Sequence, residues 1–183
     1  GEVDKETALK MLKDYLERAY EEAWELGYQS SGVSDFINKP QKKKDWVEKS
    51  LKHELKFVKK FLDDVELGRG RMDYKKRWSM YVNTLDHVYW AGKLAPIPHT
   101  FVIDWVVDHK AERCEGCWYL SMNSPYTIET LPTTPRAGMT PCLSNCKCKL
   151  RVRPPRNSQE YVIARRKNRQ ALLGKLNYIK LNQ

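Results

Sequence analysis

No run of about 18 apolar residues occurs in the 183-residue chain, so no helix is expected to span a bilayer. No apolar segment follows a basic start, and no secretory signal is read. Gly1 stands where an initiator Met would, so the chain could be a processed product or an internal fragment. Internal repeats and low-complexity tracts are missing. The phosphate-cradling Gly-rich loop is missing too: Gly68-Arg69-Gly70-Arg71 is a pair of glycines in a basic turn. Cysteine is absent from the first 113 residues. The last 41 residues hold 11 basic side chains and one acidic, Glu160.

Hydrophobic residues make up 41% and charged residues 31%, a balance that still permits folding. Six Trp, ten Tyr and four Phe supply large apolar surfaces to a modest core. The net charge is +10, and residues 143–183 alone account for +10. Residues 1–40 carry −4 and residues 41–142 carry +4. This asymmetry points to an acidic partner for the tail, nucleic acid or an acidic protein surface, or to a solvated helix face. The candidate contacts are Arg151, Arg153, Arg156, Arg165, Arg166 and Arg169.

Apolar residues at three and four spacing predict three helices of about 20 residues. Leu9, Leu12, Leu16, Ala19, Ala23 and Leu26 form the first stripe, with Asp4 as N-cap and Gly27 as the stop. Gln29 to Pro40 reads as a loop. Trp46, Val47, Leu51, Leu55, Val58, Phe61, Leu62 and Val65 form the second stripe, ended by Gly68 and Gly70. The third runs from about Met72 to Trp90, with Gly92 and Pro96-Ile97-Pro98 as stops. Phe101 to Val107 could be a strand or a buried helix start, and Leu150 to Arg153 alternates as a strand would. Helix resumes from Ser158. The expected fold is mainly α. A helical bundle or long helical hairpin occupies 1–95. A small loop-rich zinc-binding α+β module occupies 96–155, and a basic C-terminal helix or tail 156–183.

All five cysteines fall within 35 residues: Cys114, Cys117, Cys142, Cys146 and Cys148. A Cys-x-x-Cys pair followed by a second tight cluster has metal-ligand spacing, and tetrahedral zinc is the ion it suits. An odd, clustered set also favours thiolates on a metal over a disulfide framework. Four of the five are expected to bind: Cys114, Cys117, Cys142 and either Cys146 or Cys148, with Cys146 ahead. Gly116 is read as supplying a positive φ to the first knuckle. Arg113, Lys147 and Lys149 would offset the thiolate charge, and His109 is an outside candidate ligand. Four thiolates fill a tetrahedron and leave no corner for water, so the zinc would be structural.

Deaminase chemistry would need a Glu two residues after a zinc ligand, and neither His53-Glu54 nor His109-Lys110-Ala111-Glu112 has that spacing. Asp104 and Asp108 could lie one helical turn apart, but no nucleophile with its base is found. An enzyme is therefore not expected.

One constellation resembles a known family. Its front half is Gly92, Trp105, Asp108 and Cys114-x-x-Cys117. Its back half is Ser124-Pro125-Tyr126-Thr127, Leu131-Pro132, Pro135, Gly138-Met139-Thr140, Cys142 and Cys146-Lys147-Cys148-Lys149-Leu150. Together they resemble the cysteine-rich region of phage minor head proteins, the group related to the phage Mu head-morphogenesis protein. The resemblance covers about residues 72–152. It departs from the family in Lys147, where arginine is usual, and in the basic tail. It implies a non-enzymatic component of a tailed-phage virion, near the portal, in the head interior or neck. The implied partners are portal, capsid or neck proteins in a ring or shell, and packaged DNA. The implied locations are the virion and, during assembly, the host cytoplasm. Trp118, Tyr119 and Tyr126 are candidate contacts or, equally, local core. The alternative is a zinc-containing DNA-binding module that uses the basic C-terminal segment.

Overall fold

A computed structural model describes residues 4–33, 39–69, 73–108 and 114–182. The chain is mainly helical and divides into two units, Gly1–Ala95 and Pro96–Gln183. No helix among the described residues is long and apolar enough to cross a membrane.

The first unit contains α1 (Lys5–Gln29), α2 (Lys39–Glu66), α3 (Tyr74–Asn83) and α4 (Leu85–Leu94). Asp4 caps α1 as expected, its carboxylate accepting the Thr7 N–H at 2.9 Å. Gly27 does not stop this helix, which runs on to Gln29. Its role is packing. A Cβ on Gly27 would sit 1.9 Å from the Tyr89 carbonyl oxygen, and one on Gly92 would sit 1.9 Å from that of Trp24. Two helix backbones cross there with no side chain between them. Gly92 likewise lies inside α4 rather than beyond its end.

The loop expected through Pro40 ends earlier, because α2 begins at Lys39. Pro40 occupies its first turn, where an N–H would have no intrahelical acceptor. Gly68 does end α2, with φ +59. Gly70 and Met72 lie outside the described residues. The third predicted helix is two, parted at Thr84, whose hydroxyl donates to the Tyr81 carbonyl at 2.6 Å and tightens the turn. The predicted stripes meet in one core of Leu16, Tyr20, Trp24, Val47, Leu51, Val58, Phe61, Tyr81 and Val88.

Burial beside this core, against the Trp46 ring, pulls the His87 imidazole down to about pKa 4. The folded state therefore binds its proton less readily than the unfolded chain does. Stability that is complete above about pH 6.5 should be lost as pH falls toward 4, by up to about 3 kcal/mol. Urea unfolding of wild type and His87→Gln at pH 7 and pH 4.5 checks this: the variant's loss should be smaller by that amount. Burial raises the Glu54 carboxyl and acts in the opposite sense, so the difference between the two proteins isolates the imidazole.

The second unit holds β1 (Val102–Val106), α5 (Glu115–Met122), β2 (Lys149–Arg153), α6 (Ser158–Arg165) and α7 (Arg169–Leu181). β1 resolves the ambiguous run as a strand. It pairs antiparallel with β2, Asp104 opposite Arg151 and Trp105 opposite Leu150. Ile103 also exchanges backbone hydrogen bonds with Tyr126, at 2.7 and 2.8 Å. Tyr126 is fully buried, so it is core and not a contact surface, whereas Trp118 is exposed. The helical C-terminal segment is divided at Arg166–Asn168, where the Asn168 side chain accepts the Gln170 and Ala171 N–H groups and starts α7.

Candidate metal centre

The Cys-x-x-Cys opens α5. Cys114 is its N-cap, with the Cys117 N–H donating to its sulfur at 3.3 Å. Cys117 lies one turn in and is buried. Leu143–Asn145 makes a single 3-10 turn between Cys142 and Cys146. Cys148 immediately precedes β2. Gly116 is part of α5 and has no positive φ, contrary to expectation. It is glycine because Pro141 packs there: a Cβ would meet the Pro141 ring at 2.7 Å. That contact presses the two halves of the cysteine set together.

The sulfurs lie close. Cys114 Sγ is 3.4 Å from Cys142 Sγ, and Cys117 Sγ is 3.5 Å from Cys142 Sγ and 3.6 Å from Cys146 Sγ. Tetrahedral zinc–thiolate bonds of about 2.3 Å place neighbouring sulfurs roughly 3.8 Å apart. The observed edges are a few tenths shorter. Two trios have all sulfurs within 4.8 Å of one another, Cys114–Cys117–Cys142 and Cys117–Cys146–Cys148. Cys117 belongs to both and is the centre of the set. All five cysteines are free thiols.

Five such groups cannot all ionise without a cation. Hydrogen bonds from Cys114 and Cys117 hold the Cys142 thiol far below the ordinary range. The Cys117 thiol is pushed up, first by Cys114 and then by Cys142 and Cys146. Cys148 is lowered to about 3 by Cys117 and Cys146, with added help from the Trp105 side chain and the Asp108 backbone. A soft cation in place of the shared protons would satisfy the sulfurs that bind it.

Two buried polar atoms fit that reading. Trp105 Nε1 and Ser144 Oγ have no hydrogen-bond partner within normal geometry. The Trp105 side chain nevertheless favours the Cys148 thiolate over the thiol. Ser144 lies between two candidate ligands in sequence. Anionic sulfurs are the acceptors such donors lack. The five-cysteine cluster could therefore bind a metal ion.

Around it the frame is locked by polar contacts that residue spacing does not announce. Arg136, held at φ 64, donates to the Cys146 carbonyl at 2.9 Å. Leu143, just after Cys142, is also left-handed at φ 51. Non-glycine residues enter that region only where neighbours enforce it. His109 and Arg113 lie outside the described residues. Lys147 and Lys149 are exposed.

The structure divides the six arginines assigned to an acidic partner. Arg153 is taken up inside the unit. It donates to both oxygens of Asp104, at 2.8 and 2.9 Å, and to both of Glu160, at 2.9 and 2.8 Å. Arg151 also pairs with Asp104, at 3.0 Å, but its side chain is 63% exposed. Arg156 gives its backbone N–H to Glu160 at 2.6 Å. Arg153 and Arg156 hold the Glu160 carboxyl down to about 2. Asp104 therefore sits on a strand in an ion network, not one helical turn from Asp108. Arg165, Arg166 and Arg169 are exposed, with no ion pair among the described residues.

Asp104→Ala should lower the stability of this unit by about 2 kcal/mol, because it strips Arg153 of one of its two carboxylate partners. Arg151→Gln should change it by less than about 1 kcal/mol, since that pair faces solvent. Thermal unfolding of the two variants measures the contrast.

Comparison with family models, curated proteins and solved structures finds no match to this chain.

Proposed function

We propose that this chain is a non-enzymatic structural component of a tailed bacteriophage virion, with zinc as the metal of its cysteine centre. The observation that carries the reading is the convergence of Cys114-x-x-Cys117 with Cys142 and Cys146-x-Cys148 on one small volume. Those are the residues on which the chain resembles phage minor head proteins. Zinc suits an all-sulfur donor set, and four thiolates leave it no open corner for substrate or water. Its role is then to tie the start of α5, the 3-10 turn after Cys142 and the approach to β2 to one another.

On this reading the protein sits at the portal, in the head interior or in the neck, in several copies. It contacts portal, capsid or neck proteins, and it is in the host cytoplasm while heads assemble. Trp118 is an exposed aromatic on α5 that such a neighbour could cover.

Two measurements test the proposal separately. Peptide mass spectrometry of purified particles, from the phage or prophage that encodes this sequence, should find the chain at a fixed ratio to the portal protein. Its absence from particles would sink the virion assignment. X-ray absorption at the zinc edge on the reduced protein should give four sulfurs at about 2.3 Å. A metal-free folded preparation would sink the zinc assignment and leave the virion question standing.

A further inference from the structure

We infer that the turn between α6 and α7 is a phosphate-contacting surface for duplex nucleic acid, with Arg165, Arg166 and Arg169 as the contacts. The inference goes beyond the virion reading and does not depend on it.

The fold sorts the basic side chains of the C-terminal segment into used and unused. Arg153 is consumed by Asp104 and Glu160. Lys180 donates to the Gly138 carbonyl at 2.7 Å. Lys167 turns inward, donating to the Asn123 and Pro125 carbonyls, and lies over the Tyr126 ring at 5.0 Å. Arg165, Arg166 and Arg169, three arginines within five residues, are exposed together around this turn. No acidic residue occurs from Tyr161 to Gln183 to neutralise them.

The same contacts fix the turn that carries them. Lys167 anchors it from below, and Thr130 Oγ1 donates to the Ala164 carbonyl at 3.0 Å. The Asn168 cap sets the start of α7. Arginines on an anchored turn lose less freedom on binding than arginines on a loose tail. Guanidinium groups also match phosphate oxygens in a bidentate way that ammonium groups do not.

Two other acidic surfaces fit less well. The acidic ridge of α1 is already faced by lysines of its own unit: Glu17, Glu21 and Glu25 line one groove with Lys43 and Lys44, and Lys43 lies 3.8 Å from Glu25. That ridge is a poor partner for the arginines of a second copy. An anionic membrane would favour a helix with a free apolar face. The main apolar side of α7, Leu172, Leu176 and Ile179, is buried within the unit, which leaves only two short apolar pairs outside on these helices, Val162 with Ile163 and Tyr178 with Leu181.

The test is a salt titration of binding of the full chain to a short labelled DNA duplex of mixed sequence, followed by fluorescence anisotropy. Each neutralised phosphate contributes about −0.9 to the slope of log K against log salt. The triple variant Arg165→Gln, Arg166→Gln, Arg169→Gln should flatten the slope by nearly 3. Equivalently, it should abolish a factor of about 40 in the loss of affinity between roughly 50 and 200 mM salt. A variant with the same charge removed from α2, Lys52→Gln, Lys56→Gln, Lys59→Gln, should keep the wild-type slope. The inference is overturned if both variants flatten the slope equally, or if the arginine variant keeps it. It is also overturned if polyglutamate or phosphatidylserine vesicles compete for the chain better than duplex does. Circular dichroism and metal content, measured on both variants, should match wild type, so that a failure of the metal centre is read apart from a failure of this surface.

Discussion

Cys117→Ser is expected to abolish metal binding and to remove the cooperative unfolding transition of the Pro96–Gln183 unit. Cys117 is the one cysteine shared by both sulfur trios and lies buried between them. Its loss leaves no three of the remaining thiols in a compact set. Structural zinc in small modules contributes about 10 kcal/mol or more of apparent binding energy, and without it such modules do not stay folded. The centre also couples three separate pieces of chain: the start of α5, the 3-10 turn after Cys142, and the approach to β2. Metal content by elemental analysis and near-ultraviolet circular dichroism of Trp105 report the outcome. A Cys117→Ser protein that keeps one bound ion and a wild-type spectrum would contradict the account. Cys146→Ser and Cys148→Ser compared in the same way identify the fourth ligand, because the substitution that spares the metal marks the bystander. Full occupancy in both would mean that either sulfur can complete the tetrahedron.

Gly92→Ala is expected to destabilise the Gly1–Ala95 unit by about 3 kcal/mol or more. The new methyl would stand 1.9 Å from the Trp24 carbonyl oxygen, and backbone cannot rotate away as a side chain can. α1 and α4 would have to separate. That movement would disturb the packing of Trp24, which is 1% exposed and stacks on Tyr28 at 5.8 Å between ring centroids. Gly27→Ala should have a comparable effect by the reciprocal clash with Tyr89. Gly174→Ala is the control: a Cβ there meets nothing within 4 Å, and alanine favours helix, so α7 should be unchanged or slightly firmer. Urea midpoints of the three variants, followed by tryptophan fluorescence, separate steric clash from helix propensity. Equal midpoints for Gly92→Ala and wild type would contradict the close crossing.

These two sites differ in how far residue order alone betrays them. The cysteines are legible because ligand spacing is a local property, and a Cys-x-x-Cys carries its meaning within four residues. The helix stripes are legible for the same reason, since a 3.6-residue period repeats within each segment. The two helix-interior glycines were not. Each has the look of a stop, because glycine near the end of an apolar stripe usually is one. What makes each necessary is a carbonyl oxygen more than 60 residues away in sequence, that of Tyr89 for Gly27 and that of Trp24 for Gly92. Gly116 misled in a similar way, since its requirement comes from Pro141 and not from its own backbone angle.

Charge was legible as a total and not as an arrangement. A basic C-terminal segment is visible by counting. That Arg153 faces inward could not be counted, because Asp104 lies 49 residues before it and reaches it only through the pairing of β1 with β2. Lys167 and Arg165 look equivalent as neighbours in a basic run. One ends on part-buried carbonyls and the other in solvent.

Residue order by itself determined the helical class, the strand at Leu150, the cysteine cluster and the sign of the tail. Each depends on chemistry or periodicity within one short segment. Only the tertiary structure decided which glycines a backbone crosses, which cysteine sits at the centre, and which arginines stay outside. Those outcomes depend on distances between residues that the chain brings together only when it folds.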